Sequence, residues 1–321
     1  MEQTATLVLT QFEKDVLTGL GKSQKSISSK YFYNDMGNKL FAEIMQLKEY
    51  YPTNCEYEIL NNNRAEILDP FIKKEHFHLI EFGAGDGKKT KLLIQYLIEK
   101  KIDFDYIPID ISSDILKELK SDLEKQFSGI KVIPRVNDYF GALKEIKHLD
   151  NFPKLVLFLG SNIGNLSEQE TILFLNQLKI ELNIGDGFLL GVDLKKDPST
   201  ILSAYNDRRG ITKQFNLNLL TRINEEMGGN FDLDNFYHYP TYDPETGTAK
   251  SFLVSRIKQS VFIDSIQKNF HFNLGETIFL EISQKYEVSL IHDFACLTGF
   301  SVIQDFQDLK KYFLDSLWKK V

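Results

Sequence analysis

The sequence has little cysteine: Cys55 and Cys296 are the only two in 321 residues, and they are far apart. This excludes a disulfide framework and a C-x-x-C zinc or redox motif, and makes a reducing cytoplasm the expected location. The sequence also lacks an apolar run of the roughly 18 residues that a membrane span needs. Its start, MEQTATLVLTQFEKD, has no basic segment followed by a long apolar one, so we expect neither a secretion signal nor a membrane partner.

The sequence also lacks an excess of positive charge, with 38 lysine and arginine residues against 45 aspartate and glutamate residues. The formal net charge is −7, and the lysine pairs Lys73–Lys74, Lys88–Lys89 and Lys195–Lys196 are scattered along the chain. Because no basic face is indicated, nucleic acid is not an expected partner. His76 and His78 form an H-x-H motif at the start of a strand, but we expect no cysteine or third ligand nearby and therefore predict no metal site.

What is present is an alternation of short apolar runs with longer amphipathic segments. A hydrophobic content of 42% in a chain of this length allows one or two domains. Strands are predicted over 76–85, 105–112, 130–139, 153–161 and 185–194, and helices over 88–101, 113–127 and 167–182, the last with a serine N-cap. This order predicts an α/β fold with a parallel sheet and helices on both faces.

The region 197–284 breaks this pattern, and we interpret it as an insertion into the α/β sheet. It is predicted to hold helices over 198–210 and 212–229, an aromatic-rich loop over 236–247, and two long antiparallel strands over 250–263 and 269–283. The chain then returns to a helix over 287–300 and to two alternating runs, 301–308 and 311–320.

The stretch EFGAGDG ends the first predicted strand of the sheet. Gly83, Gly85 and Gly87 allow the backbone to approach a ligand closely. A dinucleotide fingerprint requires a further glycine where Lys88 stands, which disfavours an NAD-dependent reductase. Glu81 ahead of the turn would repel a pyrophosphate, whereas the sulfonium of S-adenosylmethionine (SAM) tolerates a carboxylate nearby.

Two further acidic residues follow the next predicted strands. Asp110 ends the second strand, where a carboxylate can accept both ribose hydroxyls. Asp138 ends the third strand and is a candidate for the adenine amino group, with Tyr139 beside it. Each of these alone is more often an ordinary turn or cap, but their order on successive strands favours SAM, with S-adenosylhomocysteine as the product.

Several longer stretches then carry a resemblance to a known family. KSISSKYFYNDMGNKLF (25–41), LKEYYPTNCEYEIL (47–60), FLGSNIGNLS (158–167), GVDLKKDPSTILSAYND (191–207) and FLEIS (279–283) resemble the histidine-specific SAM-dependent methyltransferases. That family begins ergothioneine biosynthesis by trimethylating the α-amino group of histidine to histidine betaine (hercynine). The resemblance covers nearly the whole chain, and we expect the enzyme to be a monomer.

The resemblance implies a Rossmann-like class I SAM-dependent methyltransferase sheet with an inserted α+β substrate-binding domain. The SAM-binding domain would comprise residues 61–196 and 285–321, and the substrate-binding domain residues 1–60 and 197–284. A protein that binds SAM without turnover is the alternative from another functional class. Such a protein need not keep the residues of both halves of the site.

The resemblance also implies three groups of substrate residues: Asn165 and Tyr205 at the carboxylate, Tyr50, Glu281 and Ser283 at the imidazole ring, and Tyr33, Gly160, Thr212 and Phe215 around the amine and the transferred methyl group. Of these, Tyr33, Asn165 and Gly160 are the expected catalytic residues. Ordinary structural roles are the alternative: Asn162 and Asn165 as caps of the next helix, Tyr50 in the core, and Glu281 facing solvent.

The strand that contains Glu281 and Ser283 carries the argument for histidine. Residues two apart on a strand share a face, and a carboxylate with a hydroxyl matches either protonation state of an imidazole. One departure is Ser251, where the family usually has a bulkier apolar residue close to the substrate ring. A wider pocket there would favour another aromatic amino acid, such as a tryptophan derivative.

Overall fold

The computed structural model describes residues 9–72, 76–146 and 152–321. The described α-helices are α1 Gln11–Leu20, α2 Asp35–Ile44, α3 Tyr51–Ile72, α4 Thr90–Glu99, α5 Ser113–Gln126, α6 Tyr139–Ile146, α7 Glu168–Glu181, α8 Pro198–Ala204, α9 Ile211–Met227 and α10 Val288–Leu297. The described strands are β1 Lys25–Ser26, β2 Phe77–Phe82, β3 Phe104–Asp110, β4 Lys131–Val132, β5 Arg135–Val136, β6 Lys154–Phe158, β7 Gly187–Asp193, β8 Phe236–Asp243, β9 Thr248–Ser255, β10 Gln259–Ile263, β11 Lys268–Phe272, β12 Thr277–Gln284, β13 Phe300–Gln307 and β14 Phe313–Lys320.

The chain divides into two compact units. The smaller unit contains the residues up to Tyr50 together with Asp197–Ser283, and the larger contains Tyr51–Lys196 together with Gln284–Val321. Helix α3 belongs entirely to the larger unit, so residues 51–60 lie there, whereas the sequence predicts them to lie with the N-terminal segment. The assignment of cofactor and substrate to the two domains stays a prediction.

The larger unit is built on one sheet, with the strand order β13-β14-β7-β6-β2-β3-β4 and β5 also paired to β3. Strands β2, β3, β4, β6 and β7 are parallel, and the final hairpin adds β14 antiparallel to β7. The predicted α/β fold with a parallel sheet is therefore confirmed. The strand order reverses between β2 and β6, and in such sheets ligands bind outside the carboxyl ends of the strands at this switch point.

The core of this unit lies on both faces of the sheet. Every residue of β2, β6 and β7 is buried. Alternate residues point to opposite faces: Ile80 packs with Phe174 of α7, whereas Leu79 packs with Leu93 of α4. Continuous apolar runs are therefore required here, which is why the sequence pattern located these strands.

The predicted strand over 130–139 is wrong in its extent. Only Lys131–Val132 and Arg135–Val136 form strand, each paired to β3, and Tyr139 begins helix α6, which was not predicted. Pro134 lies between the two short strands, and a proline has no N–H to donate to a ladder.

The smaller unit holds a four-stranded sheet of order β1-β12-β9-β8 and a separate hairpin of β10 and β11. Helix α9 contributes Leu219, Leu220 and Ile223 to its core. The predicted helices over 198–210 and 212–229 correspond to α8 and α9.

Three predictions for the smaller unit, one loop and two long strands, are wrong. Residues 236–243 form β8, paired to β9 as a hairpin, although an aromatic loop was predicted. Pro240 is tolerated because β8 is an edge strand. Each of the two predicted long strands is divided into two shorter ones, and Gly275, with φ +80°, lies in the turn between β11 and β12.

The helices of the described ranges are all too short or too polar to cross a lipid bilayer.

Candidate active site

The glycine turn after β2 lies at the switch point of the sheet. Gly83, Gly85 and Gly87 have φ values of +67°, +52° and +62°, a region that residues with a Cβ adopt only at a cost. The Gly83 N–H donates to the Ile109 carbonyl at 2.8 Å, which holds the turn against the end of β3. A methyl group built on Gly85 would meet no heavy atom of the described residues within 4 Å, so this side of the turn is open to a ligand.

Asp110 ends β3 beside this turn. Its Oδ2 accepts from the Gly85 N–H at 3.2 Å and its Oδ1 from the Ser112 N–H at 3.0 Å. Burial raises the pKa of Asp110, although these backbone N–H groups act in the opposite direction. The carboxylate is thus fixed next to the open turn, where the predicted ribose contact requires it.

Glu81 has a structural role beneath the turn. It is 3% exposed, its Oε1 accepts from the Thr90 hydroxyl at 2.6 Å, and its Oε2 accepts from the Tyr106 hydroxyl. Burial raises its pKa to about 7, against the lowering effect of these two hydrogen bonds. Glu81 therefore joins the end of β2 to the start of α4, and its direct contact with the cofactor stays a prediction.

Asp138 and Tyr139 lie at the start of α6. The Asp138 Oδ1 accepts from the Gly141 N–H at 2.6 Å, so this exposed carboxylate caps the helix, and its adenine contact stays a prediction. The Tyr139 ring packs edge-on against Phe158, with centroids 4.8 Å apart. A methyl group built on Gly83 would lie 3.3 Å from the Tyr139 hydroxyl, which places this tyrosine at the glycine turn.

The segment after β6 begins with two left-handed residues, Gly160 at φ +76° and Ser161 at φ +57°. The Ser161 hydroxyl accepts from the Asp193 N–H at 3.0 Å, which ties the segment to the end of β7. A short 3-10 helix, Asn162–Asn165, follows. This strained turn is held by its neighbours, as is common at functional sites.

The two asparagines of this segment do not cap the next helix. Ser167 caps α7 and forms a capping box with Glu170. A methyl group built on Gly83 would lie 2.9 Å from the Asn162 Nδ2, and one on Gly160 3.6 Å from it, so this amide lies between the two turns of the switch point. Asn165 is half-buried, and its role at the substrate carboxylate stays a prediction.

In the smaller unit, three of the predicted substrate residues surround one phenylalanine. Phe41 lies 5.7 Å from Tyr33, 6.3 Å from Tyr50 and 5.8 Å from Phe215, measured between ring centroids. Phe32 packs behind this group, 4.7 Å from Phe215. These rings form an aromatic cluster that is partly exposed at Tyr33, Phe41 and Tyr50.

A second group of predicted residues meets at β12. The Tyr205 hydroxyl donates to the Ser283 hydroxyl at 2.8 Å, and His238 Nε2 lies 2.9 Å from the Tyr205 carbonyl. Burial lowers the pKa of His238, so this ring is neutral at neutral pH and its Nε2 must carry the proton that the carbonyl accepts. His238 thereby holds the backbone of Tyr205.

Glu281 is half-buried and does not face solvent freely. Burial along β12 alternates at Ile278 and Leu280, but the next buried residue is Ser283, so the alternation is interrupted at Glu281 and Ile282. A common face for Glu281 and Ser283 therefore stays a prediction. Ser251 is 2% exposed on β9, and a wider ring pocket there also stays a prediction.

Thr212 is the second residue of α9, and the Asp207 carboxylate binds the first backbone N–H groups of this helix. The two oxygens of Asp207 accept from the Thr212 N–H at 2.8 Å and the Ile211 N–H at 3.0 Å. Burial acts to raise the pKa of Asp207, but these backbone hydrogen bonds outweigh it and lower the pKa. Phe215 follows Thr212 by three residues, so the two lie on one side of the helix.

The H-x-H motif has a third potential ligand that the sequence analysis missed. Register pairs His78 with Asp105, and Asp105 Oδ2 lies 3.7 Å from His76 Nε2 and 3.6 Å from His78 Nδ1. The prediction that no third ligand lies nearby is therefore wrong. The Lys131 ammonium, 2.8 Å from the same oxygen, already balances this carboxylate, and we assign no metal to the cluster.

The sheet with its switch point, the glycine turn and the strand-end carboxylate form the architecture expected of a Rossmann-like, SAM-dependent methyltransferase. The chain belongs to one particular family of that class: the model of the family described as histidine-specific methyltransferase, SAM-dependent, matches residues 12–320. The resemblance stated from the sequence is thereby confirmed.

The chain is also similar to individual relatives with more than one substrate named. A histidine N-alpha-methyltransferase from Mycolicibacterium smegmatis is 34% identical over 273 residues, which are 85% of this chain and 84% of the relative. Ergothioneine biosynthesis protein 1 from Neurospora crassa is 31% identical over 71% of this chain and 26% of its own length. An L-tryptophan methyltransferase from Psilocybe serbica is 25% identical over 84% of this chain and 82% of its own length.

Proposed function

We propose that this enzyme trimethylates the α-amino group of L-histidine, producing histidine betaine (hercynine) for ergothioneine biosynthesis. The observation that carries the proposal is the extent of the family match: residues 12–320 include both compact units. The cofactor turn and the residues expected at the substrate are thus part of one shared pattern.

The chemistry requires positioning more than acid–base catalysis. In each round the lone pair of the α-amine attacks the methyl carbon of SAM. The new N–C bond forms as the S–C bond breaks, and the electron pair stays on sulfur as S-adenosylhomocysteine. The first two products lose a proton before the next attack, and the third is a quaternary ammonium. Because the sulfonium is already a good leaving group, in-line geometry is the main requirement.

The predicted cofactor and substrate residues provide the contacts that this chemistry requires. Asp110 and the open Gly85 turn hold the cofactor ribose and its neighbourhood in the larger unit. Tyr205 and Ser283 provide hydroxyls, and Glu281 a carboxylate, for the polar ends of histidine. The aromatic cluster of Tyr33, Phe41, Tyr50 and Phe215 suits a methylated ammonium, since aromatic faces attract quaternary cations.

An N-methyltransferase for another aromatic amino acid is the alternative that one observation favours. Ser251 is small and buried at a position where the family usually has a bulkier residue. A panel of histidine, tryptophan, phenylalanine and histamine, each incubated with SAM and followed by mass shift, tests both. Methylation of histidine but not histamine supports the proposal, and methylation of tryptophan in preference to histidine overturns it.

Two further properties remain predictions from the sequence: a cytoplasmic location and a monomeric state. Fractionation of the producing cells tests the first, and light scattering of the purified protein tests the second.

A further inference from the structure

A buried charged residue on α3 has no part in the chemistry described so far. Glu56 is 0% exposed and shares its helix face with the core residues Ile59 and Leu60. Its two carboxylate oxygens lie 2.7 and 2.9 Å from the backbone nitrogen of Gly160, and Lys89 Nζ donates to Oε2. A carboxylate is rarely buried unless it is paired in this way.

A second buried carboxylate lies beside Glu56. Asp315 of β14 is 0% exposed and is paired in register with Gly191 of β7. A methyl group built on Gly191 would lie 2.1 Å from Glu56 Oε1 and 3.0 Å from Asp315 Oδ1, so the absent side chain makes room for both acids. Burial, and then the charge of Glu56, raise the pKa of Asp315 well above its usual range, and Lys89 opposes this. The Lys89 ammonium contacts Glu56 Oε2, so Glu56 and Lys89 form an ion pair beside this second carboxylate.

This pair connects the two turns of the switch point. Lys89 follows the glycine turn of β2 and precedes α4, whereas Gly160 follows β6. A methyl group built on Gly160 would lie 3.4 Å from Lys89 Nζ, so the ammonium is close to the backbone of Gly160 as well as to Glu56. Through one carboxylate, the start of α4 and the left-handed Gly160 are held at a fixed separation.

We propose that Glu56 and Lys89 are positioning residues, which fix the Gly160 backbone for methyl transfer. The inference rests on the proposed function in one respect: Gly160 is expected to line the methyl-transfer zone. Glu56 contacts Gly160 through its backbone N–H, and Lys89 holds the Glu56 carboxylate in place. A misplacement of about 1 Å at such a position costs about 100-fold in rate.

Four variants and one matched control test the proposal. Glu56→Ala removes the acceptor for the Gly160 N–H, and we expect kcat to fall about 100-fold with the KM values for SAM and amino acid within about threefold of the parent. Glu56→Gln keeps an acceptor for the Gly160 N–H but leaves the Lys89 cation without its ion-pair partner. Lys89→Met leaves the Glu56 carboxylate without its partner, and each of the two variants should lower kcat about 10-fold. The double variant Glu56→Gln with Lys89→Met restores neutrality and should recover most of this loss.

The control is Lys154→Met in the same unit. Lys154 is 2% exposed and lies 4.0 Å from the buried Asp186 at the opposite end of the sheet. It should lower stability and leave kcat within about threefold of the parent. Hydrogen exchange at the Gly160 amide gives a readout besides activity: it should accelerate about 10-fold in Glu56→Ala and stay slow in Glu56→Gln, which retains an acceptor.

The proposal is overturned if Glu56→Ala keeps the parent kcat, if Lys154→Met reproduces the loss, or if the double variant is no better than the two single ones. Should Glu56→Ala fail to fold, the comparison of the Gln, Met and double variants decides alone. All rates are measured on whichever amine the parent methylates, so a failure of histidine as substrate is seen in the parent and does not affect this comparison.

Discussion

The phenolic hydroxyl of Tyr205 lies 2.8 Å from the hydroxyl of Ser283, 78 residues further along the chain. The family resemblance assigns Tyr205 to the substrate carboxylate and Ser283 to the imidazole ring. Each hydroxyl has one donor and two acceptor positions, so both can bind a further group without losing their mutual bond. The two ends of the substrate would then be read by one connected pair.

The first prediction follows from this pair. Tyr205→Phe and Ser283→Ala should each lower kcat/KM for histidine about 5- to 10-fold, and the double variant should lose less than the product, with a coupling of about 1 kcal/mol. Tyr31→Phe is the matched control, because its hydroxyl bonds Asp15 at 2.7 Å in the same unit but is not a predicted substrate residue. Strictly multiplicative losses would mean that the two hydroxyls act separately.

The second prediction concerns the choice of substrate. Glu281→Ala should lower kcat/KM for histidine roughly 10- to 150-fold, since a charge-assisted hydrogen bond is worth about 1.5–3 kcal/mol. Binding of S-adenosylhomocysteine should not change, and the preference for histidine over tryptophan should narrow. Glu276→Ala, which removes a carboxylate paired with Lys25 just before β12, serves as control. An unchanged histidine-to-tryptophan ratio would show that Glu281 does not read the ring.

The third prediction concerns the cofactor. Asp110→Ala should weaken the binding of S-adenosylhomocysteine by about 2–3 kcal/mol, as measured by calorimetry. Asp105→Ala, at the other end of the same strand, should leave this binding unchanged. Since burial raises the pKa of Asp110, its carboxylate takes up a proton at a higher pH than an ordinary aspartate. Affinity in the parent should therefore fall as the pH is lowered through that range. If the affinity for S-adenosylhomocysteine does not change with pH and is the same in the parent and in Asp110→Ala, Asp110 does not bind the ribose.

The fourth prediction concerns stability and pH at Glu81. Its folded pKa of about 7 lies above the ordinary value of 4.5, so the folded state keeps a proton that the unfolded chain has lost. Ionisation therefore opposes folding, and this contribution to stability is lost as the pH rises from about 5 to 7. In urea unfolding, the free energy of unfolding of Glu81→Gln should rise relative to that of the parent by up to about 3 kcal/mol as the pH is raised from about 5 to about 8. A difference that does not change with pH would contradict the assigned pKa.

The sheet of the larger unit could be predicted from the sequence because its strands are buried on both faces. Runs such as Phe77–Phe82 and Gly187–Asp193 are continuously buried, and Ser167 marks the start of α7 by its side chain. Edge strands give a weaker signal. Pro134 and Pro240 interrupt the sequence pattern expected of a β-strand. The strands next to Pro134 and around Pro240 are recognised only from their pairing with β3 and β9.

The candidate site was predictable where a residue type is tied to a local turn and less so where the fold brings distant residues together. The glycine turn and Asp110 lie where expected, but nothing in the local sequence places Asp105 beside His78, or Phe41 among the predicted aromatic residues. Glu56 did leave a signal: a lone acid on the apolar face of a helix, beside Ile59 and Leu60, indicates a buried partner.

The most direct test of the account is the number of methyl groups transferred in a mixture of equal amounts of histidine and tryptophan with an excess of SAM. Mass spectrometry should show histidine gaining three methyl groups while tryptophan is unchanged. An unmodified histidine, or a tryptophan that gains methyl groups first, would contradict the assignment of this enzyme to the α-amine of histidine.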